Sequence, residues 1–187
     1  MDKAQELAGI ARKYKMGFKE HNADFLEERF LTIHPALRIS AANTGPGFSV
    51  AEIEAYLDLG REEEQMVKER KIVEPSNFIS VLQNASVKCG RWKKWMKKEE
   101  SLITEEDIAI NKNRLKDVTL VCGRYVFDEK NVRPARKQLF NNFKKVSPLR
   151  NPEAEIIESI KKSIRPWIKA FNLKGTTSKI LTKIRCL

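Results

Sequence analysis

At 187 residues, with 41% hydrophobic and 33% charged side chains, the chain has enough apolar material for one sizeable core and too much for a disordered segment. No apolar run approaches the roughly 18 to 20 residues of a membrane-spanning helix, so no membrane partner is expected. The net charge of +11 is lopsided, since residues 1–90 balance at −2 and residues 91–187 at +13. The N-terminal stretch MDKAQELAGIARKYK has charge but no apolar segment of the kind a secretory signal carries. Cys89, Cys122 and Cys186 are odd in number and lack CxxC spacing. That argues for a reducing, cytoplasmic setting with neither a disulfide framework nor a zinc knuckle.

Taken in order, residues 3–14 place Leu7, Ile10, Ala11 and Tyr14 at helical spacing. A short strand-like run at 16–19 follows and ends in Glu20-His21-Asn22-Ala23-Asp24. Residues 24–33 form a short helix or turn, stopped at His34-Pro35 because the residue before proline avoids helical geometry. A second strand at 37–42 ends in Asn43-Thr44-Gly45-Pro46-Gly47. The two strands, joined through 24–33, are expected to pair in parallel. Ser49 and Glu52 have capping-box spacing, so a long helix is expected over 51–70 with Ile53 and Tyr56 or Leu57 inward.

Pro75-Ser76 opens a further helix carrying Phe78, Ile79, Leu82 and Val87. Trp92 and Trp95, spaced i,i+3 among lysines, read as one helix with both rings inward. Thr104-Glu105-Glu106-Asp107 is a helix start. Residues 118–127 have strand composition, and helical spacing resumes over 131–143. Asn151-Pro152-Glu153 is an N-cap with proline at the first helical position, and Pro166 is expected to kink or split the helix beyond it. The basic tail, 175–187, is ordered only if Ile180, Leu181 and Ile184 dock.

Chemistry concentrates at the two strand ends. In α/β proteins the loops at the carboxyl ends of parallel strands carry the site. His21, Asn22 and Asp24 offer an imidazole, an amide and a carboxylate, a set able to hold a metal or the hydroxyls of a polar substrate, or simply to cap local structure. Asn43, Thr44 and Gly45 precede a helix, where backbone N–H groups can receive a phosphate or merely close a tight turn. Arg124 can offer a guanidinium to a phosphate or sit in a buried ion pair. His34 reads as a capping or surface residue.

Three segments, FKEHNADFL, ALRISAANTGPGFSVAEIEAYLDL and FISVLQNASVKCGRWKKWM, resemble in order the C-terminal half of the accessory, non-catalytic Z-type subunits of D-tagatose-1,6-bisphosphate aldolase. VCGRYVFDEKNVRPARKQLFNNF and NPEAEIIESIKKSIRPWIKAF continue the likeness, which spans residues 4–172. The resemblance implies the C-terminal portion of a TIM (β/α)8 barrel, about two parallel strands, followed by a mostly helical C-terminal extension. Its parts would be a partial barrel over 1–74, a helical extension over 75–172 and a basic tail over 173–187.

The implied role is support of a class II aldolase in tagatose- or galactitol-type sugar-phosphate metabolism, as a fragment or split piece that is not catalytic alone. The partner would be the catalytic subunit, which holds the zinc, or the missing barrel half; this chain would carry no cofactor, and a phosphorylated sugar is a possible ligand. His21, Asn22, Asp24, Asn43, Thr44, Gly45 and Arg124 are the substrate-binding candidates. The charge alone suggests a different class, a basic helical module for nucleic acid or another anionic partner. Nucleic acid is the weaker choice, because lysine rather than clustered arginine dominates the excess.

Overall fold

The computed structural model describes residues 2–21 and 23–185. Helix, 3-10 turns included, accounts for 68% of the described residues, which contain only two short strands. The expectation of a partial TIM barrel with a helical extension is therefore overturned: this is a mostly helical protein. The contacts divide it into two compact units, residues 49–160 and residues 2–48 with 161–185.

The first of these units holds most of the apolar core. It comprises α3 (Pro46–Lys68) from Ser49 onward, α4 (Phe78–Lys88), α5 (Glu105–Ile110), α6 (Lys112–Val126), α7 (Val132–Val146) and α8 (Pro152–Ala170) as far as Ile160. Tyr56 is its hub, with ring centroids 5.6 Å from Phe78, 4.9 Å from Phe127 and 5.7 Å from Phe140. Ile53, Leu82, Val132, Leu139 and Phe143 belong to the same cluster, each fully buried. Burying a side chain of that size contributes about 1.5–3 kcal/mol. The helices come close where there is no side chain: a Cβ on Gly123 would lie 2.8 Å from the Ile53 Cδ1.

Residues 118–127, strand-like in composition, lie almost wholly in α6. A short continuous apolar run fits a buried helix as well as a strand, and here Val118, Cys122 and Val126 recur every four residues on the buried side. Only a five-residue 3-10 turn, Arg91–Trp95, forms where one helix was expected to bury both tryptophans. Trp92 is 4% exposed and donates its ring N–H to the Val87 carbonyl, whereas Trp95 is 54% exposed.

The other unit contains α1 (Asp2–Lys13), β1 (Phe18–Glu20), α2 (Glu28–Ile33), β2 (Ile39–Ala42), the C-terminal end of α8 and α9 (Thr176–Arg185). β1 and β2 pair in parallel, with Phe18 opposite Ile39 and Glu20 opposite Ala42, as the strand-helix-strand order requires. Ala23, Leu31 and Trp167 form a small core with Phe48 and Phe171 against it. Trp167 stacks on Phe171 at 6.1 Å and meets Phe48 edge-on at 6.4 Å. Pro166 lies inside α8 without ending it.

Candidate functional site

The parallel pairing carries the two polar loops to one end of the strands. The Asn43 N–H donates to the Glu20 carbonyl at 2.9 Å, and the Ala23 N–H donates to the Asn43 carbonyl at 3.2 Å. These bonds extend the ladder one step past the strands and hold the two loops side by side. His21 is an exposed bend directly after β1. Asn22 lies outside the described residues.

Asp24 is the centre of the arrangement. Its Oδ1 accepts from the Thr44 hydroxyl at 2.9 Å, the Gly45 N–H at 2.6 Å and the Gly47 N–H at 3.0 Å. Burial pushes its carboxyl up, yet the donated bonds from Gly47, Gly45 and Thr44 outweigh this and hold it below the usual carboxylate range. Gly47 approaches so closely that a Cβ there would meet the Asp24 backbone oxygen at 3.0 Å. The N–H groups at the start of α3, where an external phosphate was considered, thus already serve the protein's own carboxylate. Asp24 caps α3 from outside the helix, and Pro46 takes the first helical position, where no N–H is needed. That is why α3 starts at Pro46, ahead of the Ser49 and Glu52 pair.

A second polar contact at the same strand end pairs His34, expected as a capping or surface residue, with Glu20, a partner the sequence did not indicate. His34 is buried, its Nδ1 2.7 Å from the Phe30 carbonyl and its Nε2 against the Glu20 carboxylate. Both ring nitrogens thus face oxygen atoms, one of the backbone and one of a side chain. The ring also lies 5.6 Å from Phe171. His34 is the C-cap of α2, its N–H donating to the Leu31 carbonyl, so the capping reading holds and the surface one does not; its ring ties the end of α2 to the end of β1. The only hint available was that a β-α-β crossover returns the chain to the first strand.

Thr44 also lines a groove of about 340 Å³ whose other walls include Ala42, Phe48, Trp167, Ile168 and Phe171. Those walls are apolar, so the groove offers van der Waals contact and little to a phosphate. Among the described residues, no group of three or more His, Cys, Asp or Glu side chains could hold a metal.

Arg124 lies on α6, in the other unit. Its guanidinium stacks over Tyr125 at 4.6 Å and donates to the Tyr125 hydroxyl, while Arg91 covers the same ring at 4.2 Å. The Arg124 Nε is buried with no partner. The arginine is thus held by an aromatic face rather than by a carboxylate.

No helix among the described residues is long and apolar enough to cross a membrane. No family model, curated protein or solved structure matches the chain.

Proposed function

We propose that the chain is an accessory, non-catalytic partner of a class II, zinc-dependent aldolase in cytoplasmic sugar-phosphate metabolism of the tagatose or galactitol type. One observation carries this reading. The segments FKEHNADFL and ALRISAANTGPGF, which resemble the accessory family, meet at one end of a parallel strand pair through Asp24, Thr44, Gly45 and Gly47. Asp24 there is a clamp. Its Oδ1 is engaged by three donors, which fixes loop geometry and leaves it poorly placed for acid–base chemistry. A structural role for this loop pair suits a subunit that supports another's chemistry.

The test is co-expression with a class II aldolase catalytic subunit for tagatose bisphosphate, followed by co-purification and the decay of aldolase activity on warming. The expected result is a stoichiometric complex in which the activity outlasts that of the catalytic subunit alone, with no cleavage by the accessory chain by itself. Absence of a complex together with unchanged decay overturns the proposal, as does turnover by this chain in the presence of zinc.

A further inference from the structure

Between residues 159 and 187 the sequence has eight Lys and Arg and no Asp or Glu. Within that stretch α9 is exposed on every side except at Thr176, as far as residue 184. Ile180, Leu181 and Ile184 are 51%, 49% and 60% exposed. At about 100° per residue these three fall within one stripe covering roughly a quarter of the circumference, and Lys183 and Lys179 lie on one side of it, beyond Ile180. A helix of 10 residues is shorter than the roughly 12 to 15 at which an isolated helix holds in water, so its stability calls for something to cover the stripe.

We propose that α9, with the cationic chain leading into it, docks on an anionic lipid surface, lying in the plane of the interface with Ile180, Leu181 and Ile184 inserted among the acyl chains.

The charge and the stripe select this occupant together. Lys169 pairs with Glu28 at 3.1 Å, but the exposed Lys174, Lys179 and Lys183 keep α9 and the turn before it complementary to acidic headgroups, and each lysine near such a surface strengthens binding about fivefold. A nucleic acid would engage the lysines but leave three aliphatic side chains in water. Recognition in a protein groove uses anchors repeated over two turns or more, and α9 has a single turn of them. A bilayer accepts a short stripe, because the acyl region needs no shape match and lysine stems can reach back to the headgroups. No residue of this surface belongs to the strand-end loops, so the inference stands or falls independently of the aldolase reading.

The experiment is flotation of the full chain with phosphatidylcholine vesicles, with and without phosphatidylserine, at about 0.1 M and about 0.5 M salt. Binding is expected only to the acidic vesicles at low salt, falling at least about tenfold at high salt. Ile180→Glu with Ile184→Glu should abolish binding, and Lys179→Ala with Lys183→Ala should weaken it roughly twenty-fivefold. All four side chains are exposed, so the core is untouched. A Leu181→Trp variant should shift its emission to the blue on acidic vesicles alone, reporting insertion without disturbing charge. Equal binding to neutral vesicles overturns the proposal, as does undiminished binding by the double glutamate variant, which would mean plain adsorption. So does an emission shift obtained with polyglutamate or RNA but not with vesicles.

Discussion

Replacing Asp24 with alanine removes three hydrogen bonds at one stroke: those from the Thr44 hydroxyl, the Gly45 N–H and the Gly47 N–H. Bonds to a charged acceptor are each worth about 1.5–3 kcal/mol, which taken at face value gives a loss well above 4 kcal/mol. Asp24 is only half-buried, however, so water can reach the vacated donors, and the loss of an N-cap more often costs about 1 to 2 kcal/mol. We expect about 2 kcal/mol for Asp24→Ala, a fall in Tm of roughly 4–8 °C for a chain of this size. Asp24→Asn keeps an acceptor oxygen and loses the charge, so it should cost roughly half as much.

The pH dependence follows from the direction of the shift. A carboxyl held below its ordinary value of 3.8 favours the folded chain in its ionised form. Its contribution is complete above pH 3.8 and is lost as the pH falls through the lowered folded value. The gap between parent and Asp24→Ala should therefore be constant at neutral pH and close in strong acid. Thermal unfolding followed by far-UV circular dichroism, at neutral pH and at about pH 2.5, measures both effects. A loss under about 0.5 kcal/mol at neutral pH would refute the clamp. So would phosphate that raises the parent's Tm but not the variant's, since that places an external anion in the loop beside Asp24.

Gly123→Ala should destabilise by about 1 to 2 kcal/mol, because overpacking against Ile53 at 2.8 Å outweighs the gain in helix propensity. Urea unfolding checks this, and Ile53→Val in the same chain should recover part of the loss by removing the clashing Cδ1; a stabilising Gly123→Ala would contradict the close approach. Glu63 is buried and accepts from the Ser76 N–H at 3.1 Å and the Asn142 side-chain amide at 2.6 Å, besides the Ser76 hydroxyl. Glu63→Leu orphans all three donors and should cost about 3 kcal/mol by urea midpoint, with Glu63→Gln markedly milder. Equal costs for the two would show that volume, not hydrogen bonding, sets the penalty.

What the sequence disclosed was whatever neighbouring residues decide among themselves. The Thr104 and Asp107 side chains cap each other's backbone at the start of α5, and Asn151 accepts from the Ala154 N–H ahead of α8, both within three residues. The parallel pairing was also legible, because a strand, a helix and a strand in succession leave few alternatives. The failures share one cause: a partner far along the chain. Ser49 and Glu52 carry the spacing of a helix start, yet Asp24, more than 20 residues earlier, sets the true start at Pro46. The apolar run inside α6 has β-branched residues enough for a strand. What decides is the packing of Gly123 on Ile53 and of Val126 among the aromatic residues of the core, and tertiary burial overrides so weak a local preference. His34 illustrates the same limit within the candidate site. A histidine before proline looks like a surface turn until the crossover brings Glu20 against its ring, and neither residue alone announces the other. Local chemistry is written locally; the site at the strand ends exists because the fold brings together residues that are separated along the chain.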